Sequence, residues 1–286
     1  MNVRVLISPA DLAEMMRTES VVLIDTRDAA SYAEAHLPGA VNIHEIFTYL
    51  ATTTQEGLAA LREAFAEAFG KAGLSGKEVA VVYEQSMTTG FGQSCRGYVL
   101  LRYLGYPRDK IKVLHGGYRA WHAAGFPSST DTPMPAPARF PLASTQASIL
   151  VDLEEMKKTV ADPHIVKLDV RDVDEWIADS SSPYGKDFCP RKGRIPNSVW
   201  IEWYRMMKPT PAGQMFKSPA EILAECATVG IRRETPVVVF CFKGARASNS
   251  FVALEEAGIA DVRLYLGSWN EWSRDLSLPI EEGVPY

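Results

Sequence analysis

The stretch "PVVVFCFKGARASNSFVALEEAG", Pro236 to Gly258, reads as a buried strand running straight into a helix. Val237 to Phe240 show no polar alternation, as expected for a strand covered on both faces. The runs "VVLID" (21–25), "VAVVY" (79–83) and "IVKLDV" (165–170) have the same character. Between them lie stretches with helical periodicity, "GLAALREAFAEAFGKAG" (57–73) and "SPAEILAECATVGI" (218–231). In the second, Ser218-Pro219 supplies a cap and a first-turn proline, and Gly230 a stop. Alternating strands and helices predict an α/β fold with a mainly parallel sheet flanked by helices. Ligands of such sheets bind outside the carboxyl ends of the strands, and Cys241 lies at one such end.

Outward from this stretch, the chain repeats itself. "VVLIDTRDAASYAEAHLPGAVNI" (21–43) recurs as "HIVKLDVRDVDEW…GRIPNSVWI" (164–201), and "EVAVVYE" (78–84) as "TPVVVFC" (235–241). "VLHGGYRAW" (113–121) recurs as "RLYLGSWNEW" (263–272), with Trp121 matching Trp272. The order is the same in both halves, so the chain is a duplicated domain. "FPSSTDTPMPAPARFPLAST", rich in proline and serine, reads as a linker. The domains expected are 1–128 and 148–286, with 129–147 between them.

Composition narrows the function. The 286 residues are enough for two ordinary domains, and 47% hydrophobic with 23% charged residues is globular. A net charge of −5 without a polybasic run argues against nucleic-acid partners. The apolar runs fall far short of the ~20 residues that span a bilayer. "MNVRVLISPADLAEMM" lacks a signal-like apolar core. The four cysteines (Cys95, Cys189, Cys226, Cys241) form no CxxC pair and no metal-ligand spacing with the histidines. A cytoplasmic protein with free thiols is expected.

The loop after Cys241 carries the chemistry. Gly244 permits a tight turn that aims successive N–H groups inward at a helix N-terminus, making an anion-binding nest. The helix dipole, Lys243 and Arg246 all favour thiolate over thiol and would hold an anionic substrate. A strand-end cysteine is often a small hydrophobe; here the flanking cations argue for a nucleophile acting on an anion. Cys95 and Cys226 read as structural. Cys189, in the polar insertion "SSSPYGKDFCPRKGRIP", is expected to be exposed.

On "DTRDAASYAEAHLPGAVNI", "LHGGYRAWHAAGFP" with "YLGSWNEW", and the loop "CFKGARAS", the chain resembles tandem-domain rhodanese-family sulfurtransferases across nearly its full length. The resemblance implies two α/β/α domains, the second catalytic. It implies that Cys241 takes sulfur from an anionic donor as a persulfide and passes it to a thiophilic acceptor, cyanide or a thiol. Phe242, Lys243, Gly244, Ala245 and Arg246 would line the substrate site, Arg246 bidentately. No metal or organic cofactor is required. Glu84 stands where the first repeat would have its cysteine, so that half is expected to be non-catalytic and to cover one side of the cleft.

A cysteine phosphatase of related fold would need C-x5-R, whereas Cys241 to Arg246 is C-x4-R. Lys243 resembles thiosulfate enzymes, and Arg246 the single-domain members. Glu175 stands where tandem enzymes usually carry an arginine, which weakens the 3-mercaptopyruvate alternative more than thiosulfate. Arg191, Lys192 or Arg194 would supply the missing charge, unless that run is simply solvated. A persulfide carrier serving a partner protein shares the same chemistry, and a binding module is disfavoured by the retained Cys241. The internal duplication predicts a monomer.

Four further sets of residues have plain readings. Asp25/Arg27 and Asp169/Arg171 occur in both halves and are expected to be structural pairs orienting the loops. His36 is matched by Arg194 in the active half, which argues against a catalytic histidine. Trp121 and Trp272 read as packing residues. Trp200 and Trp203 either line the cleft entrance or pack in the core.

Overall fold

The apolar runs are strands. The computed structural model describes residues 4–143 and 149–285. Its first half contains β1 (Leu6–Ile7), β2 (Val21–Asp25), β3 (Val41–Asn42), β4 (Val79–Tyr83) and β5 (Ile111–Leu114). These form one sheet in the order β1-β5-β4-β2-β3, with every pairing parallel. The second half contains β6 (Leu150–Val151), β7 (Val166–Asp169), β8 (Ser198–Trp200), an antiparallel hairpin of β9 (Met207–Thr210) and β10 (Gly213–Phe216), β11 (Val237–Phe240) and β12 (Val262–Tyr265). Its sheet runs β6-β12-β11-β7-β8, again all parallel, which is the first order repeated. The central strands β4 and β11 are buried at every position, which is why their sequences do not alternate.

The helices follow their local signals. Ser218 and Glu221 close a capping box on Pro219–Ala227, and Gly230 turns at φ +80°. The periodic run at 57–73 is the helix Gln55–Lys71, followed by Gly73 at φ +94°. Each half has its own apolar core at matching positions. Val81, Tyr83, Leu114 and Trp121 serve the first, and Val238, Phe240, Tyr265 and Trp272 the second. Trp121 Nε1–H donates to Pro127 O at 2.8 Å, and Trp272 Nε1–H to Pro279 O at 2.9 Å, as befits matched packing residues.

The two compact units do not coincide with the halves of the sequence. One gathers the chain up to Tyr49, the stretch from Ala59 to the linker, and the hairpin Met207–Phe216. The other gathers Leu50–Leu58, the chain from the linker to Met206, and everything from Lys217 onward. In the first unit the hairpin is held by Phe216 N–H donating to His115 Nε2 at 2.9 Å, the two rings stacked at 5.8 Å. In the second, Thr53 donates through N–H and Oγ1–H to Glu271, each at 2.6 Å, and its Oγ1 accepts Leu153 N–H at 2.8 Å. Of the expected linker, residues 144–147 lie outside the described residues. The part before them packs on the first unit, with Phe140 buried against Phe69 and Tyr106.

Candidate active site

Cys241 leaves the carboxyl end of β11 beside a buried ion pair. Phe240 is in register with Asp169, and Val170 N–H donates to Phe240 O at 3.1 Å. Arg171 binds the Asp169 carboxylate through Nε and Nη2, with Nη2 also reaching Gly193 O, and its guanidinium lies 4.6 Å from the Trp269 ring. The first half builds the same device from Asp25, Arg27 and Tyr118, the last at 4.3 Å. A pair present in both halves, only one of which has a cysteine at the end of its central strand, is scaffold. It fixes the strand ends from which the loops depart.

The loop itself is short. Gly244 sits at φ +88°, and a Cβ there would fall 2.7 Å from Leu266 Cδ1 and 3.2 Å from Leu266 O. Only glycine fits this turn. The turn directs Gly244 N–H at Cys241 Sγ, 3.2 Å away, and the helix Ala245–Ala257 starts at once. The sulfur therefore faces the positive end of a helix that presents unsatisfied amides. Cys241 is 1% exposed, Phe242 and Ala245 are buried, and Lys243 is 9% exposed.

The turn from β12 into the helix Ser268–Trp272 pins the loop from behind. Trp269 N–H donates to Cys241 O at 3.0 Å and Asn270 N–H to Phe242 O at 2.9 Å. Cys241 N–H donates to Ser268 Oγ at 3.2 Å, and Ser268 Oγ–H donates to Tyr265 O at 2.8 Å. Ser268 holds φ +54°, a rare conformation for a non-glycine residue. The first half pins Glu84 and Gln85 in the same way from Tyr118 and Arg119, with Gly117 at φ +64° in the place of Ser268.

Arg246 is buried and already partnered. Nη1 reaches Glu175 at 2.6 Å and Asp172 at 3.0 Å, and Nη2 reaches Glu175 at 3.2 Å. Burial works against its charge, but the carboxylate of Glu175 and the sulfur of Cys241 outweigh it and hold the pKa above the ordinary arginine value. Burial raises the Glu175 pKa while Arg246 opposes it; at these distances the pair is ionic. Asp172, Asp174 and Glu175 form a carboxylate cluster that could hold a metal ion by spacing. Two of the three already face Arg246, so the guanidinium is the cation this cluster holds.

Other expected residues find other places. Arg191 donates to four backbone carbonyls, those of Trp272, Ser273, Asp275 and Leu278. Arg194 donates to the carbonyls of Trp176 and Gly283 and pairs with Glu281. No described contact brings either to Cys241; both tie the chain to its C-terminal segment. Lys192 Nζ reaches Asp179 O. The bridges His36–Ser129 and Arg194–Glu281 occupy matching positions, so the counterpart of His36 is indeed Arg194.

Cys189 is not exposed as its polar neighbours suggested. It is fully buried with Phe242, Trp269 and Trp272, and burial pushes its thiol up to about 11. Burial also raises Cys95 well above the usual thiol value and Cys226 to about 11, so these are inert core positions. Trp203 is buried and donates to Asp172 at 3.1 Å, while Trp200 donates to Arg171 O at 2.8 Å and stacks on Trp176; both are packing residues.

In the first half, Glu84 takes the place that Cys241 has in the second. Its carboxyl is wholly buried, with Ser94 N–H at 3.4 Å on one oxygen and, among the described residues, no hydrogen-bond partner for the other. Burial pushes its pKa up to about 8, so it is largely neutral near pH 7. It excludes an anion by filling the loop more than by repelling charge. Ser268, Tyr184 and the Arg246 partners escaped the sequence reading. Glu175 stands out in the sequence only as a departure from the family's arginine, and the one signal for Ser268 is its register with Gly117.

The Rhodanese-like domain family matches the chain twice, at residues 8–124 and 152–275. The chain therefore belongs to the rhodanese family of sulfurtransferases, as two tandem domains. Among its relatives, a thiosulfate sulfurtransferase of Azotobacter vinelandii is 30% identical over 96% of each chain. A sulfur carrier protein, TtuD, of Thermus thermophilus is 25% identical over 98% of this chain and 97% of that one. The anaerobic ergothioneine biosynthesis enzyme from Chlorobium limicola, solved with trimethyl histidine, shares the fold at TM-score 0.83 and 23% identity, over 99% of this chain and 71% of that one. Among the described residues, no helix is long and apolar enough to cross a membrane.

Proposed function

We propose that the chain is a thiosulfate sulfurtransferase working through a Cys241 persulfide. The observation that carries this reading is the Gly244 N–H aimed at Cys241 Sγ from the first turn of the helix Ala245–Ala257. The Cys241 thiolate attacks the outer sulfur of thiosulfate, the S–S bond of the donor breaks, and sulfite leaves with its electron pair. The persulfide inherits the single negative charge of the thiolate and the same amide donor, as an oxyanion hole serves oxygen. Cyanide or a thiolate then takes the outer sulfur and restores Cys241.

Lys243 is the donor-facing cation in this scheme. Arg246, held by Glu175 and Asp172, anchors the first turn of the helix instead of gripping the sulfonate. With one arginine charge cancelled internally, thiosulfate is bound weakly and turned over at high donor concentration. A protein thiol as acceptor is the second reading, supported by the relative named as a sulfur carrier. Intact-protein mass after incubation with thiosulfate, and separately with 3-mercaptopyruvate, tests the scheme. One added sulfur from thiosulfate, removed by cyanide and absent in Cys241→Ala, is expected. Loading by 3-mercaptopyruvate alone would reassign the donor, and loading by neither would end the sulfurtransferase reading.

A further inference from the structure

The repeats differ most in one place. In the first half the helix Ala29–Glu34 is followed by Ala35 and then His36, which bridges to Ser129. In the second, the helix Val173–Trp176 is separated from the equivalent bridge at Arg194 by residues 177–193. This insertion is anchored at its far end, where Cys189 enters the core and Arg191 staples four carbonyls. Near its start, Ser182 Oγ–H donates to Gly185 O and accepts Tyr184 N–H, shaping a turn. That turn places Tyr184 on the Cys241 loop. Its ring lies 5.0 Å from the Phe242 ring, and Lys243 Nζ lies 5.3 Å from its centroid. Phe188 packs behind it at 5.5 Å.

We propose that Tyr184 is a positioning residue that holds the Lys243 ammonium over its ring face, so that the charge meets an anion arriving at Cys241. Tyr184 is 45% exposed, so it adds little to the core, yet two consecutive loop residues lie against it. An aromatic face attracts a cation by its quadrupole and does not neutralise it as a carboxylate would. A lysine so held loses the freedom to swing its head into water. The insertion thus gives the loop's lysine an aromatic face that the shorter connection of the first half does not supply.

The proposal rests on Cys241 as the nucleophile, and its test does not depend on sulfur transfer. Alkylation of Cys241 by anionic iodoacetate and by neutral iodoacetamide gives a rate ratio that reports the positive charge at the thiol. Tyr184→Leu is expected to lower that ratio about three- to tenfold, with Tyr184→Phe within about twofold of the native protein. In a Lys243→Gln background, Tyr184→Leu should add nothing, an outcome a merely structural role would not give. The thiosulfate KM should rise by the same factor as the ratio falls, with kcat unchanged. An unchanged ratio in Tyr184→Leu, an equal fall in Tyr184→Phe, or a full effect in the Lys243→Gln background would each overturn the proposal. If thiosulfate loads no sulfur, the donor assignment fails while the alkylation ratio still decides the role of Tyr184.

Discussion

Gly244 does two things that no other residue can do at once: it turns the chain at φ +88° and it brings its own amide to the Cys241 sulfur. Gly244→Ala places a methyl against Leu266 in a conformation that disfavours any side chain. Stability is expected to fall by about 1–3 kcal/mol, read from the urea midpoint. Persulfide formation, read by rapid-quench mass measurement, is expected to slow at least tenfold, because the amide no longer faces the sulfur. An alanine variant with native kinetics would show that the amide is not part of the mechanism. At this scale the sequence was informative wherever chemistry and local backbone coincide. Cys241, Lys243, Gly244 and Arg246 lie within six positions, and their composition announced the site. It could not show that Arg246 faces Glu175 and Asp172, since that pairing joins residues 71 apart in the chain.

Among the elements, the helix that follows each central strand is the functional unit, and the halves use it differently. After β11 the helix Ala245–Ala257 faces a sulfur; after β4 the helix Gln93–Tyr103 faces the Glu84 carboxyl. That carboxyl binds its proton up to about pH 8 in the folded chain, against roughly 4.3 when unfolded. Between these values the folded state holds one proton more, so stability falls as pH rises and levels off above about 8. The total is roughly 3–5 kcal/mol. Glu84→Gln removes the charge at constant shape. The variant is expected to come closest to the native protein in urea near pH 4 and to exceed it at pH 9; equal stabilities at pH 9 would place the ionised carboxylate in a well-solvated site. Strands and helices were legible from apolar runs, capping pairs and glycines. The burial of Cys189 was not, because a polar insertion reads as exposed until its anchoring contacts to the C-terminal segment are known.

For the whole molecule, the repeat in the sequence correctly gave two domains of one topology, yet the compact units borrow from each other's sequence. Leu50–Leu58 belongs with the second half, where Thr53 satisfies Glu271, one residue before Trp272 and two after Trp269, which holds the Cys241 carbonyl. Nothing local in "LATTTQEGL" marks it for that place, so periodicity and composition could not reveal it. Residues 148–286 expressed alone lack Thr53 and leave a buried Glu271 carboxyl short of two donors. Their unfolding, followed through the five tryptophans of that half, is expected at lower urea than in the full chain. Thr53→Val in the full chain should reproduce about 1–3 kcal/mol of the loss. If residues 148–286 unfold at the same urea concentration as the full chain, the strip is dispensable.

The borrowing also sets an order of events during synthesis. A chain emerging from the ribosome exposes its N-terminal half first, and domains generally fold as they appear. Here His115 must wait for Phe216 before the hairpin can seat, and Thr53 is made long before Glu271 exists to receive it. The first unit is therefore unfinished until the chain has been made through residue 216, and a strip of early polypeptide must be kept from other partners until nearly the last helix is complete. The first unit is completed only at residue 216 and the second only at Glu271, although strands of the first were made long before either.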